Sequence, residues 1–223
     1  MTAHSHEVFK NAAGRDGSGS GALRRGLYRD GFKRVFDTTL ILLSVPFVLP
    51  LIVALALLVG RHPFYIQERV GRRGRTYRMW KLRTMVIDAD KHLEAHLQAN
   101  PQARAEWDRT QKLRQDPRIT PLGRFLRKSS LDELPQLWNV LRGEMSLVGP
   151  RPMMPNQVKL YPGTAYYNLR PGLTGPWQVS ARNASTFAER AAYDTAYNKR
   201  LSLFGDIQLL VATMRVVLRA TGC

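Results

Sequence analysis

The densest chemistry in the chain lies in Ser129-Ser130-Leu131-Asp132-Glu133-Leu134-Pro135-Gln136-Leu137, where two carboxylates stand side by side ahead of a proline. Proline is tolerated only in the first turn of a helix, so a helix is expected to begin near Asp132 and run over 133–141. Acids at a helix start have an ordinary role in capping and in compensating the helix dipole. A chemical role needs a phosphate-bearing ligand close by, because free N–H groups make a helix start an anion site. Carboxylates are tolerated beside such a ligand only if arginines or a divalent cation balance them. An aspartate with a pKa of about 4 is ionised at neutral pH and attacks phosphorus without a general base.

Arginines are at hand. Arg118, Arg124, Arg127 and Lys128 precede the acidic pair, and Arg151 is held between Pro150 and Pro152. Arg170 and Arg182 bracket Pro171-Gly172-Leu173-Thr174-Gly175-Pro176-Trp177-Gln178-Val179-Ser180-Ala181. Taken singly, each is an ordinary solvated charge. Attached to rigid Pro/Gly turns, their forked guanidiniums suit phosphate oxygens. His92 and His96, with Asp88 a turn before, lack a third strong metal ligand. No Gly-rich loop of P-loop or dinucleotide type occurs. Cys223 is the sole cysteine, which excludes an internal disulfide and a cysteine metal site.

These groups must be positioned by a chain of 223 residues that is 44% apolar and carries a net charge of +17. That composition supports a globular core and points to anionic partners. Residues 1–22 have no apolar period and are expected to form a disordered tail. Residues 38–59 carry no charge, and fifteen of the residues from Leu40 to Val59 are Leu, Ile, Val or Phe. As a helix the run would measure about 33 Å, enough to cross a hydrocarbon core, and its insertion would gain on the order of 5–9 kcal/mol. Pro46 and Pro50 interrupt it, and both flanks are basic: Arg24, Arg25, Arg29, Lys33 and Arg34 before, and Arg61, Arg69, Arg72, Arg73, Arg75, Arg78, Lys81 and Arg83 after. Basic flanks stay cytoplasmic, so a re-entrant helix broken near the prolines satisfies both where a single span would export one. A single span, a buried soluble helix and a signal peptide are the alternatives, the last opposed by the downstream arginines. Asp37 is expected to pair with Lys33 or Arg34.

Beyond the run, 64–66 and 77–83 read as strands joined by Gly71-Arg72-Arg73-Gly74, and 87–115 as helix interrupted at Asn100-Pro101. Pro and Gly dominate from Leu147 onward. Helical patterning returns near 186–197 and 205–219, where Ile207, Leu210, Val211, Met214, Val217 and Leu218 form an apolar stripe facing the core or a membrane surface.

Taken in order, Lys33-Arg34-Val35-Phe36-Asp37, Lys81-Leu82-Arg83-Thr84-Met85, Gly123-Arg124-Phe125-Leu126-Arg127 through Asp132-Glu133-Leu134-Pro135-Gln136-Leu137, Met145-Ser146-Leu147-Val148-Gly149-Pro150-Arg151-Pro152 and Arg170-Pro171-Gly172-Leu173-Thr174-Gly175 resemble the bacterial sugar transferases of the monotopic phosphoglycosyl transferase family. The resemblance runs from about Lys33 to the end. Its stretch from Asp88 to Arg118 is most similar to members that start exopolysaccharide with galactose- or glucose-1-phosphate.

The resemblance implies an α+β, predominantly helical, monotopic membrane protein. Its proline-broken re-entrant helix (23–60) would carry a cytoplasmic catalytic domain (61–223) with interfacial helices at the bacterial inner membrane. It implies transfer of hexose-1-phosphate from a UDP-hexose to polyprenyl (undecaprenyl) phosphate with release of UMP, through a phosphosugar on an aspartate. Carried over, Asp132 is the nucleophile and Glu133 the partner for Mg²⁺, with both carboxylates as metal ligands. Lys81, Arg83, Arg127, Arg151, Arg170 and Arg182 fall in motifs expected to bind substrate. Leu49 stands where relatives often carry Ser before the proline, and Ala181 where Gly commonly precedes the arginine. Expected partners are the UDP-hexose (galactose or glucose), polyprenyl phosphate and anionic lipid, with no nucleic acid; a homo-oligomer is compatible. The competing readings are direct transfer in a ternary complex, a non-enzymatic single-span adaptor of polysaccharide assembly, and a basic nucleic-acid-binding protein.

Overall fold

The computed structural model describes residues 26–110, 113–180 and 186–218; the expected tail and Arg182 lie outside them. A π-helical turn, Tyr28–Phe32, leads into the long apolar helix α1, Lys33–Val59. It is long and apolar enough to cross a membrane, and only 11% of its most apolar stretch is buried. The helix runs without interruption through Pro46 and Pro50; a proline bends a helix without having to end it. The prolines stand one turn apart, so the bonds they forgo fall on two neighbouring carbonyls along one face, and intact turns on either side hold the helix. Gly60, at φ +81°, ends it.

The chain then returns as an antiparallel hairpin, β1 (Phe64–Val70) against β2 (Thr76–Leu82), closed by the 3-10 turn Arg72–Gly74. Both strands follow the expected positions, and β1 extends four residues further because each residue through Val70 finds a partner on β2. Two helices follow, α2 (Ala89–Ala99) and α3 (Pro101–Thr110). They part at Asn100-Pro101 as expected: the Asn100 side chain accepts from the backbone N–H groups of Gln102 and Ala103, capping α3, and Pro101 fills its first position. The bridge Met85–Ile119 closes the base of this excursion.

Helix α4 (Pro121–Ser129) is capped by Thr120, whose hydroxyl accepts from Gly123 N–H at 2.9 Å. A 3-10 turn, Leu131–Glu133, and the short α5 (Gln136–Leu141) follow. The rest of the Pro/Gly-rich region holds β3 (Ser146–Val148), the turn Pro155–Leu160, α6 (Ala165–Asn168), β4 (Gly172–Thr174) and α7 (Pro176–Ser180). Strands β3 and β4 pair in parallel, a contact that the Pro/Gly composition did not announce. Their approach requires glycine: a Cβ on Gly149 would lie 2.3 Å from the Arg170 carbonyl oxygen. Helices α8 (Arg190–Lys199) and α9 (Leu203–Leu218) complete the fold.

The long apolar helix and the rest of the fold share cores at both ends of the helix. Ile41 joins Met79, Val140, Met145, Val148, Tyr197 and Leu209 in the central cluster. Fourteen residues on, Leu55 packs with Leu82 and Leu126, with Ala56 and Val59 against them. Between and beyond these contacts Leu42, Leu43, Phe47, Leu49, Leu51, Val53, Leu57 and Leu58 are exposed.

The amino-terminal end is also tied by buried polar groups. Lys33 pairs with Asp206, which is fully buried and also accepts from the Tyr28 hydroxyl at 2.7 Å and the Tyr197 hydroxyl at 2.6 Å. Arg34 donates to the carbonyls of Val140 and Leu141, and Ser146 donates to Asp37 at 2.6 Å. The expected pairing of Asp37 with Lys33 or Arg34 is thus corrected, because α9 supplies Lys33 with a carboxylate and the end of α5 supplies Arg34 with open carbonyls. Removing one partner of a buried pair strands the other charge. Lys33→Met is therefore expected to lower stability by about 3–5 kcal/mol, and Lys33→Met with Asp206→Leu to recover most of the loss; equilibrium unfolding in detergent micelles measures both.

Candidate active site

Asp132 and Glu133 sit in the 3-10 turn Leu131–Glu133, not inside the first turn of the helix expected over 133–141. Ser130, at φ +58°, ends α4 and redirects the chain, and Pro135 precedes the first residue of α5. The turn offers both carboxylates to the Lys81 side chain on β2. Lys81 Nζ lies 2.7 Å from Glu133 Oε1 and 3.8 Å from Asp132 Oδ2.

Arg127 comes from the last turn of α4. Its Nε donates to Thr84 Oγ1 at 2.8 Å, and it stands within electrostatic reach of Asp132. This placement depends on the close approach of α4 to Thr84, where a Cβ on Gly123 would fall 2.0 Å from the Thr84 carbonyl oxygen. Arg151, presented by the turn after β3, lies 5.7 Å from the Trp177 ring centre and acts on Glu133. Three of the expected residues, Lys81, Arg127 and Arg151, are therefore brought together around Asp132 and Glu133.

Two are not. Arg83 donates to the carbonyls of His62 (2.8 Å) and Phe64 (3.3 Å), fastening the exit of α1 to the hairpin. Arg170 donates to the Gly143 carbonyl at 3.0 Å, with Arg72 and Arg34 as its charged neighbours. Two further arginines carried no sequence signal of their own. Arg69 on β1, counted among the basic flank of the membrane run, acts on Glu133. Arg190 on α8 lies 4.1 Å from the Trp177 ring centre.

Electrostatics separates the two carboxylates. Burial pushes the Asp132 carboxyl above the ordinary range and Glu133 adds to this, while Lys81 and Arg127 oppose. Burial also acts on Glu133, but Lys81, Arg151 and Arg69 outweigh it and hold that carboxyl below its usual value. Glu133 is thus a permanent anion, and Asp132 is the more basic oxygen donor. Among the described residues no group of three or more His, Cys, Asp or Glu converges as a metal site. Two adjacent carboxylates suit Mg²⁺, which takes one or two protein oxygens and completes its shell from water and substrate phosphates; they do not suit zinc.

A buried aspartate beside a partly buried glutamate, framed by cations, thus belongs to the same fold as an exposed apolar helix. The family model for bacterial sugar transferases matches residues 28–220. The chain belongs to the bacterial sugar transferase family. This sugar transferase is 48% identical over 195 residues to a UDP-galactose-lipid carrier transferase of Erwinia amylovora, covering 85% of the chain but 41% of that protein. It is 44% identical over 195 residues to the undecaprenyl-phosphate galactose phosphotransferase of Salmonella typhimurium, with the same coverage of 85% and 41%. To the exopolysaccharide production protein ExoY of Rhizobium meliloti it is 43% identical over 196 residues, covering 85% of the chain and 87% of the relative.

The environment of Asp132 sets a pH test. Sugar-transfer activity that needs the ionised carboxylate is expected to fall on the acid side at a pH above the free-aspartate value of about 4. Lys81→Met removes a charge that lowers the Asp132 pKa, so the acid limb should move to still higher pH. A limb that stays in place in pH–rate profiles would show that Lys81 does not set this titration.

Proposed function

We propose that this chain transfers hexose-1-phosphate from a UDP-hexose, with galactose or glucose as the sugar, to polyprenyl phosphate. UMP is released, and the sugar phosphate passes through a covalent intermediate on Asp132. The observation that carries the reading is the buried Asp132 carboxylate beside Glu133, held between Lys81 and Arg127. The names of the relatives, a UDP-galactose-lipid carrier transferase and an undecaprenyl-phosphate galactose phosphotransferase, support the substrate class.

In the first half-reaction an Asp132 oxygen attacks the phosphorus that carries the sugar. The Oδ–P bond forms, the bond from that phosphorus to the bridging oxygen breaks, and its electron pair leaves on UMP. In the second, an oxygen of polyprenyl phosphate attacks the same phosphorus and Asp132 departs as carboxylate. Neither step needs a proton removed, which accords with a site framed by cations and carboxylates. Lys81 and Arg127 offset the charge brought up to Asp132, the main barrier to joining anions. Asp132 and Glu133 would hold Mg²⁺, which when bound neutralises phosphate oxygens and polarises phosphorus.

Both ends of α1 pack on the same catalytic body, through Ile41 and Leu55, while the side chains between them are exposed. A polar body cannot lie on both faces of a bilayer. The packing therefore supports a helix that enters and leaves the cytoplasmic leaflet of the inner membrane, seating Asp132 at headgroup level where the acceptor phosphate resides. Exposed Leu203, Phe204, Ile207, Val211 and Met214 on α9 extend the apolar surface.

Asp132→Asn is expected to abolish acceptor-independent UMP release from UDP-galactose or UDP-glucose, with turnover lowered by at least about 10³-fold. Persisting release would favour direct transfer in a ternary complex. A reporter fused to the amino terminus should be cytoplasmic, and a periplasmic signal would replace the re-entrant reading with a single span.

A further inference from the structure

Three guanidiniums from distant parts of the chain converge: Arg69 from β1, Arg151 from the turn after β3, and Arg190 from the start of α8. Arg69 feels Arg151, and Arg190 feels both. Among the described residues no carboxylate lies within ion-pair distance of any of the three. The one acid on the same face of α8, Asp194, accepts instead from the Tyr161 hydroxyl at 2.8 Å.

Arg190 is held by aromatic rings, 4.1 Å from the centre of Trp177 and 4.6 Å from that of Phe187, and Arg151 lies 5.7 Å from the same Trp177 ring. Arg69 donates to the Pro152 carbonyl at 3.3 Å and to Gln67 Oε1 at 2.5 Å, next to Arg151 in sequence and space. The Nε groups of both Arg69 and Arg190 are buried without a hydrogen-bond partner. Three like charges held close together, two of them with buried, open Nε donors, favour a further anion among them. Ring-stacked guanidiniums keep their forks preset for phosphate oxygens.

We propose that Arg69, Arg151 and Arg190 form the seat of the leaving nucleotide's phosphate, with Arg69 and Arg190 as binding residues alongside Arg151. The proposal rests on the reading that a UDP-sugar is the donor. Asp132 faces Lys81 and Arg127, whereas Glu133 faces Lys81, Arg151 and Arg69. Arg151 and Arg69 thus serve the glutamate of the acid pair, and the Trp177 ring ties Arg190 to Arg151. In-line displacement sends the leaving oxygen away from the attacking one, and UMP departs carrying two negative charges on its phosphate. The cluster of Arg69, Arg151 and Arg190 meets that charge as the bridging bond breaks, while Lys81 and Arg127 serve the phosphorus that is transferred.

The test compares UMP with uridine, which lacks the phosphate, in calorimetric titrations of the full chain in detergent micelles. The unaltered protein should bind UMP more tightly than uridine. Arg69→Gln and Arg190→Gln should each weaken UMP at least about tenfold and leave uridine unchanged, and Arg190→Lys should recover part of the loss because the charge returns without the fork. Equal weakening of UMP and uridine, unchanged UMP affinity in both variants, or no preference for UMP in the unaltered protein would overturn the proposal. Arg69 and Arg190 lie on separate elements, so one variant that fails to fold leaves the other to decide. Asp132→Asn should keep its UMP affinity. If that variant still releases UMP without acceptor, the covalent route falls while the phosphate seat stands or falls on the titrations alone.

Discussion

Two carboxylates on neighbouring residues, one of them buried, repel each other by about 4 kcal/mol at a separation of about 4 Å and an effective dielectric near 20. A fold that keeps both ionised must place cations against them from outside the turn that carries them. Here those cations come from β2 (Lys81), α4 (Arg127), β1 (Arg69) and the turn after β3 (Arg151). Each depends on a close backbone approach or a fixed turn. Gly123 lets α4 lie on Thr84 and so aims Arg127, while Gly149 lets β3 and β4 meet and so presents Arg151. The architecture that looks irregular around the site is the one that brings four elements to two adjacent side chains.

The same requirement explains how the membrane helix is attached. A helix with an exposed apolar middle is free to slide or tilt in lipid unless its ends are fixed. The Lys33–Asp206 pair, completed by the Tyr28 and Tyr197 hydroxyls, and the Arg34 contacts at the end of α5 fix one end. Leu55 against Leu82 and Leu126 fixes the other. Leu82 adjoins Lys81, and Leu131 and Leu134, which flank Asp132 and Glu133, pack on the same cluster. The depth of the helix and the height of the carboxylates are thereby set by one packing unit.

What could be read from the chain beforehand followed local rules. The hairpin showed in alternating residues around Gly71-Arg72-Arg73-Gly74, the division between α2 and α3 in Asn100-Pro101, and the acid pair in its adjacency and nearby arginines. What escaped was non-local. The three-residue strands β3 and β4 are too short for a pattern and exist because two glycine-bearing segments meet. The turn holding Asp132 depends on the positive φ of Ser130, a conformation that its residue type does not foretell. Asp37 found Ser146, more than a hundred residues away, in place of the cations one turn from it. Arg69 and Arg190 were hidden among thirty-four Lys and Arg residues, since only the fold shows which charges lack an acid.

A shared nucleophile and leaving group places opposite demands on Asp132 in the proposed two-step route. Attack on phosphorus favours a basic oxygen, and burial supplies that by raising the carboxyl's affinity for protons and for phosphorus alike. Departure from the phosphosugar adduct favours a weakly basic one. Lys81 and Arg127, which stabilise the free carboxylate, pull in that direction. Neither influence alone suits both halves of the reaction: an unopposed buried aspartate would hold the sugar phosphate too firmly, and a fully solvated one would attack too weakly. Because Glu133 draws Lys81 to 2.7 Å while Asp132 sees it at 3.8 Å, the cation is shared unequally and Asp132 retains the greater basicity. In this proposed route Glu133, by holding Lys81, tunes how tightly its neighbour keeps the sugar phosphate between the two transfers.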